Sequence, residues 1–254
     1  MKTIGLLFLT TLLLSACSMQ DKSMDSGIMN NGGGGIGQGG SLARFTIQGN
    51  RLYIVNKTSL LTMDISTPSQ VKQIHKTDIG LGIETIFPYQ DKLFIGSEDA
   101  VYIYDFAKPD RPELLSRYQH ITACDPVVAQ GNYAYVSLRS GAGRCQRAVN
   151  LLEVLDISDV RNPKNVYSLP MLNPHGLGVN GNNLFVCEGN FGLKRFDISN
   201  PTNPQETEFL QDVASFDVIP RSQTLIVTGK DGLYQYDCSQ TPMQKLSHIA
   251  VKRN

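Results

Sequence analysis

The chain has 254 residues, 41% of them hydrophobic, and its 23 basic and 23 acidic residues give a formal net charge of zero. The balanced charge and the lack of any Lys or Arg run exclude a surface built to track phosphates, so nucleic acid is not an expected partner. The length permits one or two domains, and the apolar content suffices for a shared core.

At the N-terminus, Met1-Lys2 is followed by a nearly all-apolar run from Ile4 to Leu14 and then by Leu14-Ser15-Ala16-Cys17. One basic residue, a short apolar core and small residues before a cleavage point describe a secretory signal, too short to span a bilayer. Leu-Ser-Ala-Cys resembles the lipobox of bacterial lipoproteins. The resemblance implies cleavage after residue 16, a diacylglyceryl thioether on Cys17 and acylation of the new amine. Several acyl chains give stable anchoring where a single one binds only marginally. Ser18 stands where some lipoproteins carry the aspartate that retains them in the inner membrane, so the same resemblance implies the outer membrane. Residues 17–41, with Gly32-Gly33-Gly34-Gly35 and Gly37-Gln38-Gly39-Gly40, have few large apolar side chains to bury and read as a flexible tether.

From residue 42 onward one pattern recurs. Leu-Tyr-Ile-Val, Leu-Phe-Ile-Gly, Ala-Tyr-Val-Ser, Leu-Phe-Val-Cys and Leu-Ile-Val-Thr begin at residues 52, 93, 134, 184 and 225, and each is followed by an aspartate: Asp64, Asp105, Asp156, Asp197 and Asp237. Self-similarity at a period near 40 residues signals repeats that bury their apolar faces against neighbours. The first unit reads as strand A over 43–48, a turn at Gly49-Asn50, strand B over 52–55, strand C over 60–65 and strand D over 71–76. Gly-Asn recurs at 131–132 and 181–182, where a tight hairpin demands positive φ. Short strands, frequent turns and no helical periodicity predict an all-β chain. Four strands per repeat is the dimension of a propeller blade, so residues 42–254 are expected to form five four-stranded antiparallel blades. The recurring aspartate ends strand C before a turn, where its carboxylate can accept backbone N–H groups.

Val101-Tyr102-Ile103-Tyr104-Asp105, Leu152-Glu153-Val154-Leu155-Asp156 and Leu193-Lys194-Arg195-Phe196-Asp197, each with a Pro-containing turn behind it, resemble LVIVD repeats. Those repeats occur in bacterial and archaeal cell-surface proteins and are taken to form β-propellers, so the resemblance implies shape and location and no reaction. Cys238 follows Asp237 where the motif has Ile, and no copy spells the full motif. The absence of Trp separates the chain from WD40 repeats of similar period.

The last strand, near 245–251, completes a fifth blade without help from the other terminus, which predicts ring closure by side-to-side packing. Nine residues before each strand B stand Ala43, Glu84, Asp125, His175 and Phe216, in one register at the start of the channel-lining strand. Glu84, Asp125 and His175 are therefore expected to converge at the upper mouth. There they are suited to hold a cation, to serve acid–base chemistry, or to bond to loop amides. The third unit carries a B-to-C loop, residues 138–147, about ten residues longer than its counterparts, with Arg139, Arg144 and Arg147. Cys145 in that loop and Cys124 before strand A fall on one face and are expected to form a disulfide. Cys187 and Cys238 are expected to be buried free thiols. Guanidinium groups fork onto carboxylate or sulfate, so the loop is a candidate recognition patch for a surface glycan or another envelope protein.

Two functions follow. The first is a lipid-anchored, non-catalytic binding or scaffolding module of the envelope, touching the membrane through its acyl chains. The alternative is an extracytoplasmic hydrolase or lyase acting on a polymer at the channel mouth. No nucleophile elbow, zinc His-Glu-x-x-His or phosphate loop is present, so no catalytic residue, metal or cofactor is assigned.

Overall fold

Period-two alternation of branched and aromatic residues, cut every few positions by Gly, Asn or Pro, produces twenty strands, and the described residues contain no helix. The computed structural model describes residues 39–120, 126–141 and 149–251, all within the unit 33–254. Blade 1 comprises β1 (Phe45–Gln48), β2 (Arg51–Val55), β3 (Ser59–Asp64) and β4 (Lys72–Asp78), and blade 2 comprises β5 (Ile83–Tyr89), β6 (Lys92–Ser97), β7 (Ala100–Asp105) and β8 (Glu113–Gln119). Blade 3 is built from β9 (Val127–Gln130), β10 (Tyr133–Leu138), β11 (Leu151–Asp156) and β12 (Lys164–Pro170). Blade 4 holds β13 (Leu177–Asn180), β14 (Asn183–Cys187), β15 (Leu193–Asp197) and β16 (Gln205–Leu210); blade 5 holds β17 (Ser215–Arg221), β18 (Thr224–Gly229), β19 (Gly232–Asp237) and β20 (Gln244–Ala250). Each blade is an antiparallel sheet in chain order. Successive blades touch through their first strands, β1 on β5, β5 on β9, β9 on β13 and β13 on β17, so strand A is innermost as expected. The last strand of each blade, at the rim, is largely exposed.

The turns are chemically uniform. The first residue of every A-to-B hairpin has positive φ, at Gly49 (58°), Gln90 (52°), Gly131 (59°), Gly181 (57°) and Ser222 (54°). Each recurring aspartate accepts the backbone N–H two residues on, from Ser66, Ala107, Ser158, Ser199 and Ser239, and so caps the turn after strand C. Those bonds hold the carboxyls of Asp64, Asp105 and Asp156 below the usual range, and Asp237 is lowered first by the Ser239 hydroxyl. All five C–D pairings carry a register shift at the same level, after Thr62, Ile103, Val154, Arg195 and Gln235. An extra residue there sharpens the twist of the rim strand.

Blade faces meet over apolar clusters. Tyr53, Val55 and Leu60 of blade 1 pack on Ile86, Leu93, Ile95 and Tyr104 of blade 2. Phe94, Val101 and Ile103 continue into Val127, Ala134 and Val136 of blade 3. Tyr135, Leu152 and Val154 meet Leu177, Leu184 and Val186 of blade 4, and Phe185, Cys187 and Leu193 meet Val218, Leu225 and Val227 of blade 5. Cys187 and Cys238 are buried free thiols, as expected.

The junction between blades 5 and 1 differs from the side-to-side packing that the sequence suggests. Among the described residues no buried cluster spans it, and Phe45 on β1 is 60% exposed although its register equivalents Ile86, Val127, Leu177 and Val218 are at most 1% exposed. The axis is instead bridged by the segment that leads into β1. Ser41, 1% exposed, donates its hydroxyl to Asp217 Oδ1 on β17 and accepts the Leu177 N–H of β13. Two residues on, Ala43 O accepts the Ile86 N–H of β5 at 2.9 Å. Residues 39–41, which composition assigns to the tether, are bonded into the hub.

Candidate functional site

Two loop sets share the upper face, the B-to-C and the D-to-A connections, and the leader lies across the axis beneath them. Below the leader the channel keeps a void of about 20 Å³ between Gly39, Ser41, Phe87, Val128, Val179 and Pro220. Asp217 holds the leader in place: its carboxylate accepts the Ser41 hydroxyl, the backbone N–H groups of Ser41 and Leu42, and the N–H of Val218. Burial outweighs these bonds and pushes the carboxyl up to about 6. Gly40 and Gly176 pack so closely on this carboxylate that a Cβ at either would overlap it.

The charge of Arg139 acts on both Glu84 and His175. Burial raises the Glu84 carboxyl, with Glu98 adding to the rise and Arg44 and Arg139 opposing it. Burial, then the charge of Arg139, lowers His175 to about 4, so its imidazole is neutral at pH 7. Its Nε2 lies 3.2 Å from Asn173 Nδ2, as acceptor to the amide, and its ring meets Phe216 edge-on at 5.2 Å. The backbone of His175 is also committed, its N–H to Cys187 O and its C=O to the Ser137 hydroxyl. Glu188, fully buried beneath, accepts the N–H groups of Leu172 and Asn173 and pairs with Lys194 at 3.7 Å.

Beside the axis, between blades 1 and 2, opens a cavity of about 350 Å³ lined by Arg44, Lys57, Thr58, Leu81, Gly82, Ile83, Glu84 and Glu98. It carries charges of both signs, with Leu81, 64% exposed, forming an apolar lip. Such a lining can grip a ligand that offers carboxylate and hydroxyl groups together.

The structure thus places Arg139 within electrostatic reach of Glu84 and of His175, and gives no interaction between those two. Asp125, Arg144, Arg147, Cys17, Cys124 and Cys145 lie outside the described residues, so the expected lipidation and the Cys124–Cys145 disulfide do too. Among the described residues no group of three or more His, Cys, Asp or Glu is arranged to hold a metal ion, and no helix is long and apolar enough to cross a membrane. Counting back from strand B missed Arg44, Lys57, Glu98, Ser41 and Asp217. The pairing explains part of this: Glu84 and Phe216 are each skipped in the ladder, which runs from Ile83 to Thr85 and from Ser215 to Asp217. A bulge re-aims the side chains that follow it, so the uniform count points at Phe216 where Asp217 does the gripping.

No curated protein matches the sequence. The LVIVD repeat family matches residues 39–76, 122–142 and 175–211, which fall in blades 1, 3 and 4. Among solved structures, the periplasmic gluconolactonase PpgL of Pseudomonas aeruginosa is similar with a TM-score of 0.62 at 14% identity, over 80% of this chain and 68% of that one. A functionally unknown protein of Desulfotomaculum acetoxidans gives 0.67 at 9% identity over 80% and 67% of the two chains, and BamB of Moraxella catarrhalis gives 0.54 at 12% over 79% and 58%. At such identities the likeness is one of fold, and with the matched repeats it makes the chain a five-bladed β-propeller carrying LVIVD repeats.

Proposed function

We propose that the protein is a lipid-anchored propeller of the bacterial envelope that binds or scaffolds without catalysis, held at the outer membrane through Cys17 and recognising its partner with the upper face. The observation that supports this reading most is the leader across the axis. The channel mouth, where a catalytic centre would sit, is occupied by the chain's own Gly39–Ser41, and His175 and Asp217 are spent on internal bonds. What remains accessible is the off-axis cavity with Arg44, Lys57, Glu84 and Glu98, next to Arg139 at the base of the long loop. Carboxylate or sulfate groups of a surface glycan, or acidic side chains of an envelope protein, fit that set. The secretory signal supports an extracytoplasmic location.

The test is a pull-down from envelope extracts with the protein and with a variant lacking residues 139–147. A partner retained by the wild type and lost with the deletion, and weakened by Arg139→Glu, supports the reading. Equal capture by all three sinks it. Stoichiometric metal that disappears on Glu84→Gln or His175→Ala would instead favour the hydrolase or lyase alternative. Membrane release by Cys17→Ala, with loss of the acyl mass, checks the anchor.

A further inference from the structure

Blade-to-blade packing follows one code, and two faces that obey it are uncovered. On the leading face of each blade, the first residue of the repeated tetrapeptide is Leu52, Leu93, Ala134, Leu184 or Leu225, and the third is Ile54, Ile95, Val136, Val186 or Val227. In blades 2 to 5 all eight are fully buried by the preceding blade, whereas Leu52 and Ile54 are only partly buried. With Phe45 (60% exposed), Ile47 (39%), Leu61 and Met63 they form a continuous apolar sheet face that no buried cluster of the described residues covers. The trailing face repeats the story. Tyr53, Phe94, Tyr135 and Phe185 are at most 1% exposed, as are Leu60, Val101, Leu152 and Leu193, yet their counterparts in blade 5 are Ile226, partly exposed, and Leu233, 39% exposed. Ile219 and Ile249 (63% exposed) extend that face.

Beside these two faces the leader is bonded into the inner strands. Ser41 is bonded to Asp217 and Leu177 on one side, Ala43 to Ile86 on the other, and Gly40 leaves no room even for a methyl group against Asp217. The result is a seam with two apolar walls and a floor.

We propose that this seam is a docking site for a β-sheet element of a partner protein, inserted as an additional blade with apolar side chains on both of its faces. The walls specify a sheet. They are pleated surfaces whose residues alternate with period two, in the register that four other junctions use to receive a sheet. Even the polar positions agree: Thr228 and Gln235 on the blade 5 wall occupy places held in buried junctions by Ser137 (0% exposed) and Arg195 (8%). The size agrees as well. Four strands about 4.8 Å apart and five or six residues long present about 350 Å² of flat face, so two walls and the two faces they cover total about 1,400 Å², within the range of specific interfaces. This surface is distinct from the charged cavity, and the inference stands without the proposed function.

The test appends a second copy of the chain's own blade 4, residues 174–210, to its C-terminus through a flexible glycine–serine linker, and compares it with the unextended chain. The unextended chain is expected to be monomeric by light scattering and to enhance the fluorescence of 8-anilinonaphthalene-1-sulfonate. The extended chain should lose most of that enhancement and protect its added blade from trypsin. Phe45→Ser with Leu233→Ser in the extended chain should restore cleavage of the added blade while the five native blades keep their circular dichroism. Leu246→Ser, on the rim strand, should leave the protection unchanged. The inference falls if the unextended chain binds no dye, which would mean the walls have closed on each other. It falls equally if that chain forms a dimer that Phe45→Ser dissolves, or if the added blade is digested while the rest survives.

Discussion

Asp217→Ala should remove a pH dependence of stability that the wild-type protein shows between about pH 4 and pH 7. The Asp217 carboxyl is raised from 3.8 to about 6 in the folded chain by burial, against the bonds from Ser41, Leu42 and Val218. Two units at 1.36 kcal/mol each correspond to about 3 kcal/mol between its two protonation states. The sign is set by where the proton binds more tightly. The folded form holds it more strongly than the unfolded one, so stability rises as pH falls through 6 and the gain is complete near the unfolded value of about 4. Alanine leaves the Ser41 hydroxyl and the backbone N–H groups of Ser41, Leu42 and Val218 without their acceptor, each at about 1–3 kcal/mol. It also relieves the burial of charge, and that relief exists only above pH 6. The variant should therefore be strongly destabilised at pH 4.5 and less so at pH 7.5, with the difference changing by about 2 kcal/mol. Urea denaturation of both proteins at four pH values gives the difference directly and cancels Glu84, which shifts in the same direction. Identical slopes in the two proteins, or a penalty that grows toward high pH, would refute the account of the clamp.

Register equivalence makes a second test: Ile86→Ala should cost about 2–5 kcal/mol, and Phe45→Ala, at the matching position on the open seam, should cost under about 1 kcal/mol by chemical denaturation. Gln90→Gly and Ser222→Gly, which relieve positive φ at hairpin positions that carry Gly in three other blades, should each leave stability unchanged or raise it by up to about 1 kcal/mol. Gly176→Ala places a methyl group against Asp217 and should cost about 1–3 kcal/mol with no change in the far-ultraviolet spectrum. Cys187 and Cys238 should resist alkylation in the native protein and react fully in denaturant, since both thiols are buried and pushed up by burial; mass spectrometry of their peptides reads this.

The blades were legible because their signals are local. Alternation within strands, Gly-Asn at hairpins and an aspartate two residues before the N–H it accepts all act over a few positions, and five copies reinforce each other. The hub was not legible for the opposite reason. Ser41 sits in a glycine-rich stretch that composition assigns to a tether, and its partner Asp217 lies 176 positions away. The site fell between these cases. The register count singles out Glu84 and His175, but the bulges at Glu84 and Phe216 break the count, and Arg44, Lys57 and Glu98 enter the cavity from loops with no repeating signature. The open seam was invisible for a further reason: Phe45, Leu52 and Ile54 obey the same apolar pattern whether or not a neighbour covers them.

The leader enters the propeller at its hub. A pull on residue 39 is delivered first to the Ser41 and Asp217 contact and from there to blades 2, 4 and 5, which share the load in parallel. A chain that joined the ring through a rim strand would be peeled one hydrogen bond at a time. Here tension meets bonds to three blades before it reaches any rim strand.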